Sequence, residues 1–270
     1  MIYPANFEEK IGFDRIREQV TALCSTPSAK AKLAEEGFST SADEIERRLS
    51  LMNEMRSLLM LERDFPDGDY PDPAPLVAKI RVEGSYLLAA EADQLRKALV
   101  TVGAIAEFIL GRGGARYPRL WELSRRVTLF PEIVRAIDAI LDDRGEVKDS
   151  ASPELQQVRR AIREREGQAA KRLQAVLSAA KGAGIVDADA QISIREGKAV
   201  IPVAAANKRK LQGFIHDESA TGRTFYVEPV EVVEINNELR ELEYAERREI
   251  VRILSEFTDS VRPDAGLIAA

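Results

Sequence analysis

Apolar residues from Phe7 to Ala34 recur near the 3.6-residue period, at Phe7, Ile11, Ile16, Val20, Leu23 and Leu33, with Gly37 following; the spacing predicts helix. Ser41 and Glu44 have the spacing of a capping box. They open a predicted helix through Ile45, Leu49, Met52, Met55, Leu58 and Leu59, which Pro66-Asp67-Gly68 and Pro71-Asp72-Pro73 end. A long polar loop is expected next. Leu87 to Leu110 reads as helix, stopped by Gly111-Arg112-Gly113-Gly114, and shorter helices are expected at Leu120 to Val127 and Pro131 to Leu141. Residues 1 to about 145 therefore read as a helical bundle.

After the turn Asp142-Asp143-Arg144-Gly145, Ser152 stands as N-cap and Pro153 as the first residue of a long helix. Leu155, Val158, Ile162, Ala169, Leu173, Val176 and Ala180 advance by threes and fours, except for a charged step at Arg165 and Glu166; Gly182-Ala183-Gly184 ends the run. At about 1.5 Å per residue, residues 153–181 make a rod on the order of 40 Å. The period then drops to two. Ile192 and Ile194, the turn Glu196-Gly197 and the run Ala199 to Val203 predict a hairpin. Leu211 to Asp217 and Arg223 to Val227 predict two more strands. Past Pro229 the helical period returns at Val232, Ile235, Leu239, Leu242, Ile250, Ile253 and Phe257. A seam this narrow is buried only by a partner helix, so the expected fold is mainly α: a helical core bundle, then two long antiparallel helices carrying a small four-stranded β insert at their tip.

Composition supports this picture, with 31% charged, 6% aromatic and 45% hydrophobic residues. No apolar run approaches the roughly 18–20 residues of a membrane span, and the start, Met1-Ile2-Tyr3-Pro4 with Asn6, Glu8 and Glu9, does not read as a leader; a cytoplasmic protein with no membrane partner is expected. The single Cys24, beside Val20 and Leu23, is expected to be a small core residue. One cysteine and one histidine, His216, give no zinc cluster and no catalytic triad. Gly111, Gly113 and Gly114 lack a following Lys-Ser or Lys-Thr, and Gly197-Lys198 continues into Ala199, so no phosphate loop for ATP is expected.

Charge is uneven. Residues 151–230 hold thirteen Lys and Arg against nine Asp and Glu, a balance of +4 in a chain of −6, so the rest carries −10. A basic segment in an acidic chain is a candidate phosphate-contacting surface. Lys208-Arg209-Lys210, in the turn between the second and third strands, places three cations where they reach phosphates without reading sequence. Arg195, Lys198 and Arg223, near strand ends of the same sheet, are secondary candidates. His216-Asp217-Glu218-Ser219 groups an imidazole, two carboxylates and a hydroxyl, but strand alternation sends neighbours to opposite faces, so no acid/base site is expected there. Gly222 reads as a tight turn that Thr221 initiates, and Asn236-Asn237 as interhelical hydrogen-bonders that fix register. Glu238, Glu241, Glu243 and Glu246 with Arg240, Arg247 and Arg248 read as a solvated face with i,i+4 pairs.

Four runs resemble the MutS-II family: Gly145 to Leu155 (GEVKDSASPEL), Ile194 to Val203 (IREGKAVIPV), Gly213 to Pro229 (GFIHDESATGRTFYVEP) and Val233 to Leu239 (VEINNEL), in matching order and spacing. The resemblance extends over essentially all 270 residues. It implies a helical core at 1–148, a first lever helix at 149–184, a clamp-like β insert at 185–229 and a second lever at 230–262. It also implies a DNA-binding ATPase whose ATP and Mg²⁺ site, and a nuclease-type domain, lie beyond this chain, so that no cofactor and no catalytic residue are expected here. Relatives are associated with branched or recombination-intermediate DNA as homodimers, with suppression of recombination, and with stalled or collided ribosomes. One departure stands out: where the family has a basic residue soon after the Pro-Val pair, this chain has Ala204-Ala205-Ala206. The expected function is thus a sequence-independent grip on DNA. The alternatives are a ribosome- or rRNA-binding arm using the same cations, and a structural coiled-coil dimerisation module.

Overall fold

A computed structural model describes residues 7–66, 68, 70–195 and 197–269. The expectations for residues 1–6, for Asp67 in the Pro66–Gly68 stop and for Glu196 in the hairpin turn lie outside the described residues. The chain is mainly α with one small antiparallel sheet, and it divides into two compact units: Met1–Lys148 with Ile253–Ala270, and Asp149–Arg252. Among the described residues no helix is long and apolar enough to cross a membrane.

The first unit holds α1 (Phe7–Lys10), α2 (Phe13–Leu23), α3 (Pro27–Glu35), α4 (Ala42–Leu61), α5 (Ala74–Ile80), α6 (Ala89–Gly111), α7 (Pro118–Ser124) and α8 (Pro131–Ile140). The expected Ser41 cap is present, its side chain accepting from the Glu44 amide. Three expectations need correction. Helix from Phe7 to Ala34 is interrupted at Gly12 and again where Thr26 caps α3 and Pro27 starts it, so the period runs through three short helices. Ile16, Val20 and Leu23 stay exposed, and Cys24, the C-cap of α2, is not buried. The expected polar loop contains α5, whose Leu76, Val77 and Ile80 are buried. Its signal was Pro73 and Pro75 ahead of an i, i+1, i+4 apolar set.

One core of this unit gathers Leu58, Phe65, Ile109, Tyr117 and Leu120, with Trp121 packed against it. Elsewhere in the unit the Leu87 amide donates to Thr258 Oγ1 at 2.9 Å, and the Arg262 guanidinium donates to the carbonyls of Ile80, Val82 and Ser85. Those bonds tie the C-terminal segment to the α5–α6 connection.

The second unit holds α9 (Pro153–Gly182), a sheet of β1 (Ser193–Arg195), β2 (Lys198–Ala204), β3 (Gly213–Glu218) and β4 (Thr224–Pro229), and α10 (Val230–Val261) as far as Arg252. Ser152 caps α9, accepting from the Leu155 amide at 3.0 Å, and Pro153 opens it. Cross-helix partners fix the pairing. Ser152 Oγ donates to Glu249 at 2.6 Å, Arg159 to Glu246 at 2.7 Å, and Arg165 pairs Glu238 at 2.7 Å. Partner numbers fall as chain numbers rise, so α9 and this part of α10 run antiparallel, as expected. Two corrections follow. The charged step at Arg165 and two of the glutamates of the α10 face serve this pairing rather than i,i+4 pairs. Of the predicted seam, Leu155, Leu173 and Ala180 are fully buried and Val158, Ile162, Ala169 and Val176 half-buried, while Leu177, outside it, is buried too.

The sheet order is β1-β2-β4-β3, all antiparallel. Ile201, Val203 and Val227 pack with Leu173, Leu177 and Ala180 of α9, Val232 of α10 and Leu211 in one core. Period-2 alternation sets Ile201, Val203 and Val227 on one buried face, while Val200 and Glu228, on the other face, are buried as well.

Candidate nucleic-acid interface

The connection from β2 to β3 is a built turn. Residues Ala205–Asn207 form a single 3-10 turn; the Ala205 amide donates to the Arg223 carbonyl at 2.9 Å and the Lys210 amide to the Asn207 carbonyl at 2.8 Å. Asn207 Nδ2 donates to the Ile185 carbonyl at 3.0 Å, which anchors the turn to the segment after α9. Lys208, Arg209 and Lys210 follow, all exposed, and none makes an ion pair with a described residue. Lys208 Nζ lies 4.6 Å from the centroid of the Phe225 ring, a cation–π contact that holds the side chain on the turn without neutralising it.

Register locates the other three candidates. Ala204 pairs Thr224 at one end of the sheet, where Arg223, exposed and without an ion pair to a described residue, precedes β4; the connection carrying Lys208, Arg209 and Lys210 leaves β2 at this end and crosses to Gly213, which pairs Pro229 at the other. Arg195 and Lys198 pair with each other across the β1–β2 hairpin at the other end. Arg195 is partly spent, with its guanidinium 3.2 Å from Asp217 and 4.1 Å from the Tyr226 centroid. Lys198 is spent on Glu228 at 2.8 Å. Of the six cations, four make no ion pair with a described residue and two are already engaged.

Glu228 is the residue that sequence reasoning missed. It is 1% exposed, and its carboxylate collects three donors: Lys198 Nζ at 2.8 Å and His216 Nε2 at 2.6 Å on Oε2, and Asn236 Nδ2 at 2.6 Å on Oε1. Burial pushes this carboxyl up, but hydrogen bonds from Lys198, Asn236 and His216 outweigh it and hold the group below the ordinary glutamate value. His216 reaches Glu228 because the β3–β4 register shifts between Ile215 and Asp217, a bulge that breaks simple alternation. Asp217 and Ser219 go elsewhere, as expected, to Arg195 and to the Thr224 amide. Asn236 is not an interhelical register device, because its amide serves Glu228. Nor does Thr221 initiate the tight turn: the Gly222 amide donates to the Ser219 carbonyl at 2.7 Å, so Ser219 is its first residue and Gly222, at φ 65°, its last.

Gly213 has a different requirement. A Cβ there would stand 2.2 Å from the Glu228 carbonyl oxygen, so only glycine lets β3 approach β4 at this point. Among the described residues no group of three or more His, Cys, Asp or Glu is placed to hold a metal ion.

Comparison with known proteins places this geometry in context. The chain is 32% identical over 262 residues to the endonuclease MutS2 of Pelotomaculum thermopropionicum, an alignment covering 97% of this chain and 33% of that protein. It is 33% identical over 251 residues to the endonuclease MutS2 of Thermomicrobium roseum, covering 92% and 31%. To the putative endonuclease MutS2 of Bacillus subtilis it is 28% identical over 249 residues, covering 92% and 32%. No protein-family model matches. The chain spans about a third of the length of these curated relatives. The resemblance carried by the four runs is borne out, as similarity to MutS2 proteins over nearly the whole chain.

Proposed function

We propose, for a chain that is MutS-like along nearly its whole length, that the second unit grips the phosphate backbone of DNA without reading its sequence. One observation carries this: Lys208, Arg209 and Lys210 on the β2–β3 connection and Arg223 just before β4 are exposed and free of carboxylate partners among the described residues. Cations already neutralised by protein contribute little to displacing counterions from DNA, whereas four free ones contribute directly. On this proposal residues 1–148 act as core, 149–184 and 230–262 as lever helices and 185–229 as clamp. In the full-length protein they act on branched or recombination-intermediate DNA, as a homodimer, to suppress recombination. The sequence has no phosphate loop, so no step of ATP or Mg²⁺ chemistry is routed through these residues, and strand cleavage is assigned to none of them.

The test is binding of a labelled four-way junction by the full chain and by its Lys208→Glu/Arg209→Glu/Lys210→Glu variant at low salt. The proposal expects the variant to lose most affinity while keeping its helical signal and melting temperature. Unchanged affinity refutes it. Binding that ribosomes displace far more effectively than unlabelled junction assigns the same cations to rRNA instead.

A further inference from the structure

The first unit carries a denser basic segment than the second. Gly111–Val127 holds Arg112, Arg116, Arg119, Arg125 and Arg126 against Glu122 alone, a balance of +4 in seventeen residues, where residues 151–230 need eighty for the same balance. The segment centres on α7, which packs on α4. Arg47, Leu51 and Glu54 follow one another at i, i+4 and i+7 on α4; Arg119, Glu122 and Leu123 at i, i+3 and i+4 on α7, with Arg126 in the turn just after it. Each set therefore lies along one side of its helix. Between them opens a cleft of about 160 Å³ lined by Arg47, Leu51, Arg119, Glu122, Leu123 and Arg126.

The carboxylates near this cleft are committed. Glu54 accepts from the Arg119 and Leu120 amides at 3.2 and 2.9 Å, capping α7; Glu122 pairs Arg126 at 2.6 Å, and Glu44 pairs Arg47 at 2.9 Å. The Arg119 side chain is exposed, with no ion pair to a described residue. Arg125 lies over the Trp121 ring, 4.8 Å from its centroid, rather than on a carboxylate. Three guanidinia thus share a cleft with one carboxylate; Arg47 and Arg126 are each held by one glutamate, and Arg119 has no ion pair to a described residue.

We propose that this cleft is a second phosphate-binding site, which takes a phosphate group of a nucleic-acid backbone. Guanidinium groups present paired N–H donors that match phosphate oxygens, and their charge does not titrate away. Clefts that enclose a drug-sized molecule measure about 300–1,000 Å³; this one, at about 160 Å³, has room for a phosphate group without enclosing a whole nucleotide, which favours a polymer whose remainder lies outside. The identity of that polymer rests on the function proposed above; the site itself does not.

Trp121 is the single tryptophan of the chain and sits on α7, the helix that carries Arg119 and Glu122 of the cleft, so its emission reports on the surroundings of α7. Gly114 packs against its ring, where a Cβ would stand at 3.2 Å. The full chain is titrated with a labelled DNA duplex, reading label anisotropy and Trp121 emission together. The same titrations are run on Arg119→Glu/Arg126→Glu, on the milder Arg119→Gln/Arg126→Gln, and on Lys208→Glu/Arg209→Glu/Lys210→Glu. The inference expects duplex to change Trp121 emission and both Arg119/Arg126 variants to bind roughly tenfold or more weakly, as expected for a lost charge-assisted contact. The clamp variant should retain the emission change at saturating duplex. DNA binding lost in the clamp variant but unchanged in the Arg119/Arg126 variants overturns this site and leaves the clamp proposal standing. Binding lost only in the Arg119/Arg126 variants does the reverse. Inorganic phosphate or pyrophosphate that shifts the emission at concentrations where duplex does not would overturn the polymer assignment.

Discussion

Replacing Lys198 by Met separates a structural cation from a gripping one. The substitution keeps the aliphatic stem but removes the ammonium that lies 2.8 Å from Glu228, a carboxylate 1% exposed. Removing one partner of a buried pair costs about 3–5 kcal/mol because the other charge is left uncompensated. Here His216 and Asn236 remain at 2.6 Å each, and Lys198 is only partly buried, so the expected cost falls to about 2–3 kcal/mol. For a chain of this size that lowers the melting temperature by roughly 5–10 °C. The sign with pH follows from the direction of the shift. The Glu228 carboxyl is held below its ordinary value, so its contribution is complete above that value, near 4.5, and is lost as pH falls through the folded-state value. In the Met variant the carboxyl rises, and the cost measured at pH 7 shrinks towards pH 4. Urea unfolding at both pH values, with junction binding measured well below the melting transition, tests the argument. A loss under about 0.5 kcal/mol at pH 7, or a loss of DNA affinity in the still-folded variant as large as that from reversing Lys208, would refute it.

Gly213→Ala should destabilise by at least about 2 kcal/mol in thermal or urea unfolding, because its Cβ meets the Glu228 backbone at 2.2 Å and backbone cannot rotate away; a near-neutral result would contradict the strand geometry. Arg159→Met, removing a part-buried group that pairs both Asp149 and Glu246 at 2.7 Å, should cost about 1–2 kcal/mol. Arg165→Met, removing a more exposed pair with Glu238, should cost no more than about 0.5 kcal/mol, and the reverse order in denaturant titrations would count against the helix pairing described. Ser152→Ala should cost about 1–2 kcal/mol, since Ser152 caps α9 and also donates to Glu249. Glu249 is held at about 2 by Arg252 first and Ser152 second, so its stabilising contribution is full above 4.5 and disappears as pH falls towards 2; a stability profile flat across that range in both wild type and Ser152→Ala would contradict these contacts.

Long, strongly periodic elements were legible in the residues alone. Ser152-Pro153 marked the start of α9, the change from a 3.6 to a 2 period marked the sheet, and the return of the helical period marked α10. Shorter elements were not, because two helix interruptions near Gly12 and Thr26 leave the apolar period intact, and α5 is too short to show one. Periodicity also establishes that an apolar face exists without saying what covers it, which is why Ile16, Val20 and Leu23 are exposed despite their spacing. The Glu228 network draws on β2, β3, β4 and α10, and reaches His216 through a bulge, so no local pattern announces it. Residue type picked out the basic turn at Lys208–Lys210 correctly as a connection between strands. It gave no means of separating Lys198, committed to a buried carboxylate, from Lys208, which has none.

The most direct test of the grip is the salt dependence of duplex DNA affinity for wild type and for Lys208→Glu/Arg209→Glu/Lys210→Glu. Each neutralised phosphate contributes about 0.9 to the slope of log affinity against log salt, so losing three contacts should flatten the slope by roughly 3. Parallel slopes in the two proteins, with both fully folded, would mean that these side chains touch no phosphate and would remove the basis of the proposed function.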